Sequence, residues 1–183
     1  AMMAQAYARV LGKPAVCMAC SGPGTVNLAS GIANAMIDCA PVVALGGSSP
    51  VSQYGIGAFQ EIDQVAIMRP VTKWAERVYE AKRIPQYIDM AFAQALAGKP
   101  GPVYLDLPGD VLDQEVDEEA IRWSKKPRSL VRPAASAEQI ARTVEMLEKA
   151  KAPLLLTGSG ILWSGASAEL QKLVEAAGIP FYT

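Results

Sequence analysis

The sequence predicts an α/β fold: a parallel sheet flanked by helices, followed by the start of a second α/β domain. Three observations predict it. Short apolar runs alternate with stretches of helical length, the pattern of strands joined by crossover helices. The run Pro41 to Leu45 is apolar almost throughout, as a strand buried on both faces is. The turn Ser21-Gly22-Pro23-Gly24 stands where a strand gives way to a helix.

The elements follow in order. Residues 2–11 read as a helix that Lys13-Pro14 ends, and Ala15–Ala19 as a strand. A small-residue helix runs from about Thr25 to Asp38, and Pro41–Leu45 is the next strand. Gly46 to Phe59 is rich in glycine and serine, has no periodicity, and is long enough to be a functional loop. A short helix near Glu61–Met68 and a strand near Thr72–Val78 come next. Ile84, Tyr87, Ile88, Ala91, Phe92 and Ala95 recur at helical spacing, Gly98 and Pro100 close that helix, and Val103–Leu107 is another strand. From Asp110 to Pro133 an acidic block (Asp110, Asp113, Glu115, Asp117, Glu118, Glu119) precedes a basic one (Arg122, Lys125, Lys126, Arg128, Arg132) without apolar period. That pattern suits a surface linker. Beyond it, Ser136 and Gln139 have capping-box spacing ahead of a helix with Ile140, Val144 and Leu147 as its buried stripe. Leu154–Leu156 is a strand, and Leu170, Leu173 and Val174 line a last helix ended by Gly178. The expected domains are 1–109, a linker at 110–133, and the opening of a second domain at 134–183.

Composition excludes several kinds of chemistry. The 183 residues are 51% hydrophobic, enough for a sizeable core, and 17 basic against 18 acidic residues leave a net charge of −1, no footprint for nucleic acid. Histidine is absent, which removes Ser-His-Asp and Cys-His pairs and any zinc site with an imidazole ligand. No apolar run approaches the roughly 20 residues that span a bilayer, so no membrane partner is expected. Three cysteines fit a reducing, cytoplasmic setting. Cys17 and Cys20 have C-x-x-C spacing, but in an apolar run they read as core residues, as Met2 and Met3 read as packing residues. No metal ligand set is expected.

The turn from Ser21 to Asn27 has two readings: a tight structural turn, or a helix start whose free amides face a ligand beyond the carboxyl end of a strand. No G-x-x-x-x-G-K-[ST] is present. Gly158-Ser159-Gly160 lacks the third glycine of a dinucleotide fingerprint and reads as a turn. Glu61 and Asp63 suit the start of the following helix, where its dipole favours carboxylates. Phe59-Gln60 sets an aromatic beside an amide on a loop, a pair able to shield and position a polar ligand.

Taken together these segments resemble thiamin-diphosphate-dependent enzymes of the acetolactate synthase and 2-hydroxyacyl-CoA lyase/oxalyl-CoA decarboxylase group. The resemblance is carried by Cys20-Ser-Gly-Pro-Gly-Thr-Val-Asn27, Pro41-Val-Val-Ala-Leu-Gly-Gly-Ser-Ser49, Gly57-Ala-Phe-Gln-Glu61, Arg69-Pro-Val-Thr-Lys73, Gly101-Pro-Val-Tyr-Leu-Asp-Leu-Pro108 and Pro153-Leu-Leu-Leu-Thr-Gly-Ser-Gly160. The Gly-Gly-Ser-Ser stretch leading into Gly-Ala-Phe-Gln-Glu favours the lyase branch.

The resemblance implies that the first domain is the pyrimidine-binding domain, lacking its N-terminal part, and that the second is the beginning of the central domain. It implies Pro23, Gly24 and Asn27 as cofactor-binding residues, Phe59 and Gln60 as substrate-binding residues, and Gln60 as the catalytic candidate in this chain. Gln60 would meet a substrate carbonyl or hydroxyl, or the 4′-amino group of the cofactor. Thiamin diphosphate would supply the carbanion chemistry, with Mg2+ held by polypeptide outside this chain and ADP, CoA or FAD at the central domain. The expected substrate is an acyl-CoA or a 2-oxo acid, and the expected assembly a homodimer or homotetramer. The family's glutamate lies in an Asn/His-Glu-Gln-Ala-Ala stretch just before the helix at the start of this chain. No residue here is assigned to it, and Glu61 lies on a different loop. The chain alone is therefore expected to be catalytically silent. The competing expectations are an acetolactate synthase and a non-catalytic α/β binding module.

Overall fold

The computed structural model describes residues 1–121, 123 and 134–183. Arg122, Lys125, Lys126, Arg128 and Arg132, the basic half of the expected linker, lie outside the described residues. The chain forms two compact units, Ala1–Leu130 and Val131–Thr183.

In the first unit, α1 (Met2–Leu11) ends at Gly12, whose φ of 62° is the left-handed value a helix stop requires. Then come β1 (Ala15–Ala19), α2 (Pro23–Ile37), β2 (Val42–Ser48), α3 (Gln64–Met68), β3 (Ala75–Arg77), α4 (Ile84–Leu96), β4 (Val103–Pro108) and α5 (Gly109–Leu112). The strands form one parallel sheet in the order β1-β2-β4-β3. The parallel sheet flanked by helices is therefore present. Both edges of the expected strands moved slightly: β2 runs on through Gly46-Gly47 to Ser48 because these residues still pair with Asp106, Leu107 and Pro108.

β4 is central and divides its side chains by alternation. Val103 packs with Val43, Ala91 and Ala95, and Leu105 with Val78 and Val111, beneath α4. Tyr104 and Asp106 point to the opposite face, toward α2 and α3, where both are fully buried. Gly46 of β2 lies against that pair. A Cβ there would fall 2.5 Å from Thr25 Oγ1 and overlap the Tyr104 hydroxyl, so no side chain fits.

Two expectations about packing fail here. Met2 and Met3 are exposed, Met3 at 87%, because α1 buries the face formed by Ala4, Gln5 and Ala8. Cys20 is exposed and Cys17 half-buried, whereas Cys39 is the buried cysteine, its thiol donating to the Ile37 carbonyl at 3.6 Å. Alternation puts Val16 and Met18 on one face of the edge strand β1, and both are exposed there.

The second unit holds α6 (Ala137–Lys149), β5 (Leu155–Leu156), α7 (Gly160–Ser164), α8 (Ser167–Ala177) and β6 (Phe181–Tyr182), with β5 and β6 paired in parallel. The Ser136 hydroxyl accepts from the Gln139 amide at 3.3 Å, as the capping pattern predicts. The stripe on α6 is not buried: Ile140 is 54% exposed and Val144 is likewise open. A two-stranded sheet offers too little surface to cover an amphipathic helix.

Gly46→Ala tests the close approach at β2. Overpacking of this kind costs about 1–3 kcal/mol. Urea unfolding should show a loss of that size with an unchanged m-value; stability equal to the parent would contradict it.

Candidate functional site

Three segments meet beyond the carboxyl ends of β1, β2 and β4, the edge of a parallel sheet where ligands bind. They are the turn at Cys20–Gly24, the loop Ser49–Glu61 and the head of α3.

The turn is shaped by its glycines. Gly22 has φ 59°, and a Cβ on it would lie 2.5 Å from the Gln60 carbonyl oxygen. Gly24 sits over Cys20, whose Sγ would be 2.5 Å from any Cβ at that position. Pro23 opens α2, where its missing N–H costs nothing. Pro23, the first residue of the helix, and Asn27, one turn further on, are both exposed. Thr25 turns inward, its hydroxyl donating to the Cys20 carbonyl at 3.1 Å.

Gln60 is brought against this turn. The Ser21 hydroxyl donates to Gln60 Oε1 at 3.0 Å, and Gln60 adopts φ 58°, a left-handed conformation unusual for a side-chain-bearing residue. The loops holding Pro23–Asn27 and Phe59–Gln60 thus stand side by side. Phe59 itself projects into the open at 84% exposure; its carbonyl accepts from the Ser49 hydroxyl at 3.2 Å.

The loop is tied down by carboxylates. Asp110 accepts from the Val51 and Ser52 amides at 2.9 and 3.1 Å, so the first acidic residue of the expected linker helps order the site loop. Asp63 caps α3 through the Ala66 amide at 3.0 Å, as expected of it. Glu61 does otherwise: it turns back and accepts from Gly55, Gly57 and Ala58 at 2.5, 3.1 and 3.0 Å. Those amides, Gly55 and Ala58 foremost, hold its carboxyl below the usual glutamate range.

Beneath both loops lies a buried polar cluster that sequence reasoning missed. Asp106 accepts from the Ser48 hydroxyl (2.8 Å), the Tyr104 hydroxyl (2.7 Å), Gln64 Nε2 (2.7 Å) and Arg77 Nε (2.5 Å). Burial works against the Arg77 charge, but the hydrogen bond and charge of Asp106 outweigh it and raise the guanidinium pKa. Burial first, then the Asp106 charge, pushes the Tyr104 phenol far above its ordinary range, so it remains a donor. Arg77 also lies 4.6 Å over the Tyr54 ring, joining the cluster to the loop. The signal for the cluster was available: an aspartate inside the apolar run Val103–Leu107 requires buried partners. The partners' identities were not, because they come from three other segments.

The comparisons bear on this geometry. Residues 1–67 match the family model for the thiamine pyrophosphate enzyme N-terminal TPP binding domain, and residues 140–183 match the central domain of the same enzymes. The chain belongs to the thiamine pyrophosphate enzyme family. It is 40% identical to a probable acetolactate synthase large subunit of Methanococcus aeolicus, over 98% of this chain and 31% of that protein. It is 40% identical to acetolactate synthase isozyme 1 large subunit of Escherichia coli K12, over 97% and 31%. It is 36% identical to the 2-hydroxyacyl-CoA lyase of Arabidopsis thaliana, over 97% and 32%. The chain thus spans about a third of the length of these relatives.

At the head of α2, Gly22 and Gly24 let Gln60 and Cys20 close onto the turn, and Pro23 and Asn27 stay exposed beside it. Among the described residues no cluster of acidic, cysteine or histidine side chains is arranged to hold a metal ion, and no helix is long and apolar enough to cross a membrane.

Glu61 ties loop order to pH. Its folded pKa lies below the unfolded value, so the ordering is complete above the usual glutamate range and is lost as pH falls through the folded value. The amide resonances of Gly55, Gly57 and Ala58 should shift together with one midpoint below 4.5, the ordinary glutamate value. A midpoint at or above it would contradict the assignment.

Proposed function

We propose that this chain forms the pyrimidine-side wall of the active site in a thiamin-diphosphate-dependent carbon–carbon lyase acting on a 2-hydroxyacyl-CoA. The observation that carries the site is the Ser21–Gln60 hydrogen bond, which sets the Gln60 carboxamide beside the Pro23–Gly24 turn. The lyase branch is favoured by the Gly46-Gly-Ser-Ser49 stretch leading into Gly57-Ala-Phe-Gln-Glu61.

In this reading the cofactor, when bound, supplies an electron sink for the carbon–carbon bond. Pro23, Gly24 and Asn27 seat its pyrimidine ring. With Oε1 taken by the Ser21 hydroxyl, Gln60 turns its Nε2 donor toward the ligand, which suits a substrate carbonyl or hydroxyl oxygen better than the cofactor's 4′-amino group. Phe59 covers the substrate from solvent. The 2-hydroxyacyl-CoA R–CH(OH)–CO–S–CoA is cleaved to the aldehyde R–CHO and formyl-CoA, the carbinol proton passing to the formyl carbon in the overall balance. The glutamate that activates the cofactor and the Mg2+ ligands would come from polypeptide other than these residues, and ADP, CoA or FAD would bind at the central domain. A cytoplasmic homo-oligomer completes the proposal.

A second reading is acetolactate synthesis, decarboxylation of one 2-oxo acid and condensation with another. Its support is the 40% identity to two acetolactate synthases, against 36% for the lyase.

The test is to supply the full-length protein, with thiamin diphosphate and Mg2+, with a 2-hydroxyacyl-CoA and with pyruvate in parallel. Formyl-CoA and aldehyde in equal amounts are expected. Acetolactate and carbon dioxide from pyruvate alone would select the second reading, and no cofactor-dependent product from either would reject both.

A further inference from the structure

Gln64 is 1% exposed, opens α3 four residues after Gln60, and belongs to neither loop. Its carboxamide has only one workable orientation. Oε1 accepts from the Gly22 amide, while Nε2 lies 2.9 Å from the Gly47 carbonyl and 2.7 Å from Asp106 Oδ1, both acceptors. Nε2 is also 2.9 Å from the Tyr104 oxygen, which can accept while its own proton goes to Asp106 at 2.7 Å, so the two amide hydrogens face three acceptors. Among the described residues no buried side-chain polar atom is left without a partner.

A buried carboxamide is a costly way to fill space, since an apolar side chain of like size needs no partners. What it adds is a fixed link between the head of α2 and the ends of β2 and β4. Gly22, at that head, touches Gln60: a Cβ on it would lie 2.5 Å from the Gln60 carbonyl oxygen. Ser21, one residue earlier, holds the Gln60 side chain. The location of Gly22 thus decides the location of both Gln60 and the Pro23–Gly24 turn.

We propose that Gln64 is a positioning residue of this site: by pinning the Gly22 amide to the ends of β2 and β4 it holds the cofactor turn and the Gln60 carboxamide in one fixed relation. The proposal rests on the thiamin diphosphate reading above. The titratable and charged groups around Gln64 are Asp106 and Tyr104 on β4, with Arg77 of β3 on the far oxygen of Asp106. Glu61, just before α3, is engaged with Gly55, Gly57 and Ala58.

The experiment uses the full-length protein and three variants, at a temperature where circular dichroism shows all of them folded. Gln64→Leu keeps the volume and loses the link. Gln64→Glu keeps the Gly22–Asp106 part of the link only while protonated, when its carbonyl accepts from Gly22 and its one hydroxyl donates to Asp106, leaving the Gly47 carbonyl without this donor; once ionised it repels Asp106. Lys73→Met is the stability control, since the Lys73 ammonium serves only the Gln94 and Ala97 carbonyls, at 2.6 Å each, near the end of α4. Thiamin diphosphate affinity is read by calorimetry and kcat/KM with the substrate that the parent turns over.

Gln64→Leu should lose about 10- to 100-fold in cofactor affinity and in kcat/KM, the penalty of a misplaced site. Lys73→Met should lose stability but neither of these. Gln64→Glu should come nearest the parent at the lowest pH that still lies above the Glu61 transition and weaken as pH rises from there, while the parent stays flat. If parent and Gln64→Leu bind the cofactor equally well, or Gln64→Glu shows no pH dependence of its own, the positioning role is overturned and the cofactor reading stands. If the parent itself binds no thiamin diphosphate, the cofactor reading falls and this proposal with it.

Discussion

A carboxylate with no exposed surface constrains everything at the working edge of the first unit. Asp106 stands in the central strand, and its two oxygens receive four donors from β2, β3, β4 and α3. Such a group is expensive to desolvate, and removing one partner of a buried ion pair costs about 3–5 kcal/mol because the other is left uncompensated. The cluster is therefore poor as a source of stability and strong as a source of order. Ser48, Gln64, Arg77 and Tyr104 together satisfy it.

That order passes outward along two paths. Through Gln64 it reaches the Gly22 amide, and from there the turn that opens α2 and the backbone of Gln60. Through Arg77 it reaches the Tyr54 ring in the loop, which Glu61 and Asp110 fasten from the other side. The glycines at positions 22, 24 and 46 belong to the same logic. Each is where a side chain would collide with the cluster, with Gln60 or with Cys20. Loops at the end of a sheet are commonly the least fixed part of a fold; here they are anchored to its buried centre.

The fold was legible where β1, β2 and β4 carry short apolar runs and α4 repeats its apolar residues at helical spacing, so local pattern and tertiary role agree; β3, Ala75-Glu76-Arg77, is no such run and is shorter than the expected Thr72–Val78. The Ser136 cap was legible for the same reason. The apolar stripe of α6 was legible as a stripe but not as exposed, since exposure depends on what lies opposite, and Ile140 and Val144 meet no covering layer within their unit. At the site, the turn Pro23–Asn27 and the pair Phe59–Gln60 stood out by composition and motif. Gln64, Arg77 and Tyr104 did not: a glutamine at a helix start or an arginine at a strand end is ordinary until another segment's aspartate is placed against it. Glu61 looked like a helix-start carboxylate and serves instead the loop before it, because three amides there are free to be accepted from.

The most direct measurement is a crystal structure of the full-length protein with thiamin diphosphate bound. The account predicts the pyrimidine ring against the Pro23–Asn27 turn, the Gln60 carboxamide in the same pocket, and Gln64 still bridging Gly22 to Asp106. A ring seated elsewhere, or a bound state in which Gly22 and Gln60 have moved apart, would contradict it.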